Sequence, residues 1–134
     1  MEYIYGTADV SQSEESVVVL GNFDGVHRGH QMLIQVAKEQ GKMKHLKTIV
    51  FSFYPHPSWV IGNHPKPLIM SRRDKKQIIK SLGLDILIEY PFTKAFANIS
   101  PEVFFEEILI RQLKAKVLVV GENYYFGKNK AGMT

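Results

Sequence analysis

Residues 17–30 read Val-Val-Val-Leu-Gly-Asn-Phe-Asp-Gly-Val-His-Arg-Gly-His. The β-branched run that ends at Gly21 predicts a buried strand over residues 17–21. A helix is predicted to follow over residues 29–40, with Gly41 as its stop signal. Its apolar residues fall at helical spacing on one face, and they are Met32, Leu33, Val36 and Ala37. A strand that passes through a glycine-rich turn into a helix is typical of a parallel α/β sheet.

The rest of the chain alternates predicted strands and helices. Further strands are predicted over residues 46–53, 85–89 and 116–121. A helix is predicted from Ser71 to Leu82, with Ser71 as its cap and Gly83 as its stop, and another starts at Ser100-Pro101-Glu102. The order β-α-β-α-β-α-β predicts an α/β fold, with a parallel sheet flanked by helices. In such sheets ligands bind beyond the carboxyl ends of the strands, where the strand order reverses.

Composition restricts the class of protein. The length of 134 residues predicts a single domain over residues 1–134, and 45% apolar with 22% charged residues is typical of a soluble protein. The absence of cysteine excludes disulfides and thiolate chemistry. The N-terminus lacks a signal-peptide pattern and no apolar run is long enough to cross a bilayer, so we expect a cytoplasmic protein.

The charge balance favours an anionic ligand. Seventeen Lys and Arg against 13 Asp and Glu give a net charge of +4, which suits a nucleotide. The excess is too small and too dispersed to indicate nucleic-acid binding. The densest basic run, over residues 72–76, is expected on a solvated helix face.

The turn after the first predicted strand has the features of a phosphate site. His27 and His30 lie three residues apart at a helix start, where free N–H groups and partial positive charge bind anions. The glycines allow close approach of a ligand, and Asp24-Gly25 is a turn dipeptide. The candidate substrate-binding residues of this turn are Gly21, Asn22, Phe23, Asp24, Gly25 and Gly29. A structural role or zinc binding by the two histidines are the alternatives, although no third zinc ligand is evident.

Two later loops offer further candidates. After the second predicted strand come Pro55, His56 and Pro57, followed by Trp59, in a loop that the prolines stiffen; a rigid surface loop is the alternative. After the fourth strand, residues 121–128 read Gly-Glu-Asn-Tyr-Tyr-Phe-Gly-Lys. Their aromatic rings could stack on a planar ligand, and Asn123 could bind a phosphate or a metal-bound water; a core-capping turn is the alternative. The first and fourth strands are predicted to be neighbours, which would bring the histidines and this loop to one crevice.

The motifs resemble a known family. His27-Arg28-Gly29-His30 matches the HxGH signature of the nucleotidyltransferase superfamily. The string over residues 21–31 is similar to the N-terminal module of prokaryotic FAD synthetases, the bifunctional riboflavin kinase/FMN adenylyltransferases. The similarity runs from about Val17 to Gly132, and implies a Rossmann-like, HUP-type sheet. It also implies the reaction ATP + FMN → FAD + pyrophosphate, a step of riboflavin metabolism and FAD biosynthesis.

The resemblance assigns roles to individual residues. His27 and His30 would act as catalytic residues that hold the ATP phosphates and stabilise the transition state. The Pro55-His56-Pro57 string would border the phosphate side of the flavin. Asn123 would help bind ATP and Mg²⁺, with the metal carried on the ATP phosphates, and Phe126 would lie against the isoalloxazine ring.

Two parts of the family pattern have no counterpart in these 134 residues. The riboflavin kinase module is absent, and so is an Ile-Ser-Ser-Thr-x-Ile-Arg segment whose polar groups clamp the ATP phosphates. The expectation is therefore a C-terminally truncated nucleotidyltransferase domain, either a fragment or an impaired relative. Without the strand that follows in the family, Val117–Val120 would form an unpaired apolar edge, and we expect a homo-oligomer through it.

Three alternative functions remain open at the level of sequence. A sister HxGH enzyme could use another acceptor, such as phosphopantetheine, nicotinate mononucleotide or glycerol 3-phosphate, but the F-x-P-H-P and G-x-N-x-x-F-G strings argue against it. A non-catalytic nucleotide-binding fragment is favoured by the missing Ser/Thr/Arg segment. A nucleic-acid binder is the weakest alternative.

Overall fold

Five parallel strands form one sheet in the part of the chain that the structure describes. The computed structural model describes residues 1–21, 28–54 and 71–120, with Arg28 in its backbone alone. Within these ranges the strand order is β1-β4-β3-β2-β5, and every neighbouring pair is parallel. The strands are β1 (Glu2–Tyr5), β2 (Ser16–Leu20), β3 (Lys47–Tyr54), β4 (Ile86–Pro91) and β5 (Ala115–Val120).

The central strands are buried because helices cover both faces of the sheet. Every residue of β2 is buried, and so are residues 48–53 of β3, as expected for parallel strands with continuous apolar runs. The predicted fold class is confirmed. The predicted first and fourth strands are β2 and β5, and they are direct neighbours in register from Val17↔Val117 to Leu20↔Val120.

Four helices in the described ranges pack against the sheet. They are α1 (Arg28–Lys44), α2 (Arg72–Ser81), α3 (Lys94–Ala97) and α4, which starts as a turn at Pro101–Val103 and continues as a π-helix at Phe104–Gln112. Ile34 of α1 and Ile79 of α2 pack on one face of the sheet, whereas Phe104 of α4 packs on the other. No helix in the described ranges combines the length and apolar character needed to cross a bilayer.

The predicted helix caps are confirmed. The Ser71 side chain accepts a hydrogen bond from the N–H of Asp74 at 3.1 Å. Ser100 does the same for the N–H of Val103 at 3.2 Å. Gly83 ends α2 with a φ of 82°, a conformation that glycine adopts without strain.

The prediction for α1 was wrong in its end and for two of the four residues of its predicted apolar face, whereas Ala37 is buried and Leu33 packs against the core as predicted. The helix passes through Gly41 and ends at Lys44, where His45 turns the chain with a φ of 56°. Met32 and Val36 are 65% and 47% exposed, whereas Ile34 and Ala37 are buried. Gly41 lies on the buried side, and a Cβ there would be 2.8 Å from Thr48 Cγ2. Glycine at this position therefore permits close packing of the helix on β3.

Two short elements were not predicted. β1 is a four-residue strand that pairs with β4 along one edge, and its Glu2 and Tyr5 are exposed. α3 has four residues, and the Thr93 side chain caps it by accepting from the N–H of Phe96. Elements this short leave too few residues for a periodic pattern.

Replacing Gly41 by alanine should destabilise the fold. The added Cβ would clash with Thr48 Cγ2, and overpacking costs about 1–3 kcal/mol, which outweighs the gain of about 1 kcal/mol in helix propensity. Thr48→Ser should recover part of the loss, because it removes Cγ2 and keeps the hydroxyl that bonds Asp85. Urea denaturation of Gly41→Ala and the double variant measures both effects. A more stable Gly41→Ala protein would contradict the packing argument.

Candidate functional site

The carboxyl edge of the sheet is stepped. Leu20, the last residue of β2, pairs with Phe51 of β3 and Val120 of β5. β3 continues through Ser52–Tyr54, beside β4. At about 3.3 Å per residue, three further residues raise β3 about 10 Å above the end of β2. Among the described residues this leaves a step above Leu20 and Val120, at the point where the strand order reverses, which we call the β2–β5 recess; parallel α/β sheets bind ligands at such a point.

The described part of the predicted phosphate site lies at this recess. The N–H of Gly21 donates to the carbonyl of Phe51 at 3.1 Å, so the chain is still held by the sheet as it leaves β2. Gly29 and His30 lie in the first turn of α1, Gly29 exposed and His30 half-buried with a buried Nδ1 atom. The first turn of α1 contains no acidic residue, so no carboxylate of its own offsets the positive end of the helix dipole.

The orientation of α1 follows from its opposite end. Gly41 packs against Thr48 at the beginning of β3, which is the amino edge of the sheet. The helix start must therefore lie at the carboxyl edge, above the strand ends. The structure thus brings Gly21, Gly29 and His30 to the predicted end of the sheet, where an anion would meet the helix N-terminus.

The other predicted site residues lie outside the described residues. They are Asn22, Phe23, Asp24, Gly25, His27, Pro55, His56, Pro57, Asn123 and Phe126. Their three segments follow directly on Gly21, Tyr54 and Val120, at the carboxyl ends of β2, β3 and β5. Because these strands are adjacent in the sheet, the topology starts all three segments at one edge. The roles of the individual side chains stay predictions.

A second polar cluster lies at the same edge, on the face covered by α2, and the sequence reasoning missed it. Glu89 of β4 is 2% exposed. Its carboxylate accepts hydrogen bonds from the Tyr3 hydroxyl and from Arg72 Nε, the latter at 3.4 Å. Arg72 Nη2 donates to the Tyr3 hydroxyl at 2.9 Å. The first residue of α2 is thereby tied to β1 and β4.

Burial and the Glu89 carboxylate change the pKa values of Tyr3 and Arg72. Burial raises the pKa of Tyr3 to about 12, and the hydrogen bond to Glu89 adds to the effect. Burial alone would lower the pKa of Arg72, but its contacts with Tyr5 and Glu89 raise it overall. At neutral pH the cluster therefore contains a neutral phenol and a charged guanidinium.

The expectation that residues 72–76 form a solvated face was wrong for two of them. Arg73 and Asp74 are exposed, but Lys75 is 7% exposed and Arg72 points toward Glu89. The signal that could have shown this is Glu89 itself, a lone acid inside the apolar strand Ile86–Pro91. A buried carboxylate requires a cationic or hydrogen-bonding partner.

A separate groove of about 490 Å³ lies at the amino edge of the sheet, and its lining includes Lys38, Lys42, Thr48 and Asp85. The Asp85 carboxylate already accepts hydrogen bonds from the backbone N–H and hydroxyl of Thr48, at 2.9 and 3.0 Å. The groove is therefore at the opposite edge from the predicted site, and its carboxylate is occupied in holding the start of β3.

Comparison with known proteins identifies one family. A family model described as FAD synthetase matches residues 9–134. The bifunctional riboflavin kinase/FMN adenylyltransferase of Escherichia coli K12 is 33% identical over 135 residues, covering 98% of this chain and 43% of the relative. The Bacillus subtilis protein of the same name is 39% identical, covering 90% of this chain and 39% of the relative. The chain thus spans less than half the length of these relatives.

The fold also matches a solved structure. A crystal structure from Streptococcus pneumoniae, described as a macrolide-efflux protein, superposes with a TM-score of 0.85 at 30% sequence identity. The match covers 95% of this chain and 44% of that protein. The parallel sheet and its flanking helices are therefore a known arrangement.

Tyr3→Phe should change the alkaline stability of the protein. The folded-state pKa of Tyr3 is raised from 10.0 to about 12, so folding favours the neutral phenol. Its contribution is fully present below pH 10 and is lost as the pH rises to about 12. The free energy of unfolding of the wild type should fall more steeply across this interval than that of Tyr3→Phe. Parallel curves in urea denaturation would show that Tyr3 is not perturbed.

Proposed function

The chain belongs to the FAD synthetase family, and we propose that it is an FMN adenylyltransferase. This nucleotidyltransferase transfers AMP from ATP to FMN and yields FAD and pyrophosphate. The observation that carries the proposal is that the family match spans all three segments that leave the carboxyl edge beside the β2–β5 recess. The proposal covers adenylyl transfer by residues 1–134 as one domain, and not phosphorylation of riboflavin.

The proposed reaction depends on alignment of the FMN phosphate with the α-phosphorus of ATP. An oxygen of the FMN phosphate attacks the α-phosphorus of ATP, a new P–O bond forms, and the bond to the bridging oxygen breaks as pyrophosphate leaves. The FMN phosphate is already an anion near neutral pH, so no general base is needed. A fixed recess that holds both anions in line supplies the main rate enhancement, together with neutralisation of the charge that develops at the α-phosphorus.

His30 and the start of α1 provide that neutralisation in the proposal. The imidazole lies in the first turn of a 17-residue helix that begins at the carboxyl edge, where backbone N–H groups and the helix dipole attract phosphate. His27, one residue before the helix, is proposed to act with it on the ATP phosphates. Gly29 is exposed between them, which suits close approach of a phosphate to the backbone.

The flavin and the metal are assigned by the family resemblance. The Pro55-His56-Pro57 segment is proposed to border the FMN phosphate, and Phe126 to lie against the isoalloxazine ring. Among residues 1–21, 28–54 and 71–120 no three His, Asp or Glu side chains form a group that could hold a metal ion. In the proposal, Mg²⁺ is carried on the ATP phosphates, near Asn123, as the family resemblance implies.

The proposal includes self-association through β5. In the described sheet β5 pairs with β2 on one side only, and its Leu118 is exposed. An apolar edge strand is a template for a strand of a second copy. A cytoplasmic location belongs to the same proposal, because the co-substrate ATP is a cytoplasmic metabolite.

His30→Asn should lower the rate of FAD formation from FMN and ATP by at least about 100-fold, the usual cost of losing a transition-state donor. His45→Asn is the matched control, because His45 is exposed at the other end of α1 and asparagine tolerates its positive φ. The control should keep the wild-type rate. FAD is measured by chromatography. A His30→Asn protein with the wild-type rate, or a wild type that binds FMN without forming FAD, would contradict the proposal.

Leu118→Lys should shift the protein toward the monomer, because a charged residue on an edge strand opposes strand pairing. Ile110→Lys, at an exposed apolar position of α4, is the matched control and should leave the association unchanged. Sedimentation velocity over a range of protein concentrations measures the effect. A wild type that is purely monomeric at high concentration would exclude association through β5.

A further inference from the structure

The Arg72 side chain, which is 27% exposed, lies against three strands near their carboxyl ends. Its guanidinium carbon lies 3.9 Å from the ring centroid of Tyr5 in β1 and 3.8 Å from that of Tyr54 in β3. Its nitrogens donate to Glu89 of β4 and to the Tyr3 hydroxyl. The planar group thus contacts two aromatic rings whose planes are inclined by 62° to each other and is hydrogen-bonded at its edge, a set of contacts that arginine supports and lysine does not.

Lys75 makes a parallel contact one turn further along α2. Its Nζ donates to the Ser52 hydroxyl at 3.0 Å, and that hydroxyl donates to the carbonyl of Ile88 at 3.2 Å. Ser52 and Tyr54 are alternate residues of β3 and therefore point to the same face of the sheet. Both inward-facing cations near the start of α2 thus contact the final residues of β3, which extend past the β2–β5 recess.

Stability alone is a poor explanation for this cluster. Removing charged groups from water is costly, and well-packed apolar side chains of similar volume often stabilise a protein as much or more. What the cluster supplies is a fixed position, because two rings, a carboxylate and a phenol all contact Arg72. Through the Tyr54 ring, that restriction extends to the last residue of β3.

We propose that Arg72 is a positioning residue for the flavin substrate: it fixes Tyr54, and with it the point from which the Pro55-His56-Pro57 segment leaves the sheet. This inference rests on the proposed function, which places the FMN phosphate at that segment. ATP is assigned to the start of α1, on the other side of the recess. Loss of Arg72 should therefore weaken FMN binding and leave ATP binding unchanged.

The test compares Arg72→Gln with Arg73→Gln in the 134-residue chain. The two arginines are adjacent in the same helical turn, but Arg73 is exposed, so the pair is matched in charge change and side-chain type. Arg72→Gln should raise the Kd and KM for FMN about tenfold, since small displacements of substrate-positioning groups have large effects. The KM for ATP should stay within about twofold in both variants. Flavin fluorescence quenching gives the Kd without turnover.

Amide hydrogen exchange provides a readout that does not depend on flavin. The N–H of Phe92 donates to the carbonyl of Tyr54 at 3.3 Å, so its exchange rate reports how firmly the end of β3 is held. Arg72→Gln should accelerate exchange at Phe92, and Arg73→Gln should not. Amides in the middle of β3, such as that of Val50, should keep their protection in both variants.

The outcomes distinguish a failure of the positioning role of Arg72 from a failure of the proposed FMN adenylyltransferase function. Faster exchange at Phe92 together with selective weakening of FMN supports the positioning role. Unchanged exchange at Phe92, or faster exchange with an unchanged FMN Kd, overturns it, and so does an equal loss of affinity for both substrates, which would indicate general destabilisation. A wild type that binds no FMN refutes the proposed function and the flavin role of Arg72 with it.

Discussion

The burial of β2 on both faces and its hydrogen bonding along both edges constrain the rest of the structure. A strand enclosed in this way has no side chain available to a ligand, so polar chemistry is confined to the segments beyond its ends. Because β3 and β5 flank β2, three segments leave the sheet side by side at the carboxyl edge. Among the described residues, β3 extends past the last pairs of β2 and β5, and this step is the β2–β5 recess.

The α1 helix connects this constraint to function. Gly41 allows the helix to approach the beginning of β3 closely, and this contact aligns α1 antiparallel to the strands. Its positive end is thereby placed above the recess, with His30 in the first turn. A residue at the far end of the helix, remote from the proposed chemistry, therefore helps to determine where a phosphate would be bound.

Sequence reasoning predicted the parts of the structure that have a strong local signal. The apolar runs of β2 and β3 and the caps at Ser71 and Ser100 were correct, because each depends on neighbouring residues in the chain. The buried face of α1 was predicted correctly at Leu33 and Ala37 and wrongly at Met32 and Val36, since Met32 and Ile34 are similarly apolar and only the packing against the sheet selects between them. The Arg72–Glu89 pair was missed because its partners are 17 residues apart and meet only after α2 packs on β4.

The most direct measurement is a crystal structure of this chain with a non-hydrolysable ATP analogue. The account predicts phosphate oxygens within hydrogen-bonding distance, about 2.7–3.2 Å, of the His30 imidazole and of backbone N–H groups in the first turn of α1. A triphosphate bound instead in the groove beside Lys38 and Lys42, at the amino edge of the sheet, would contradict it.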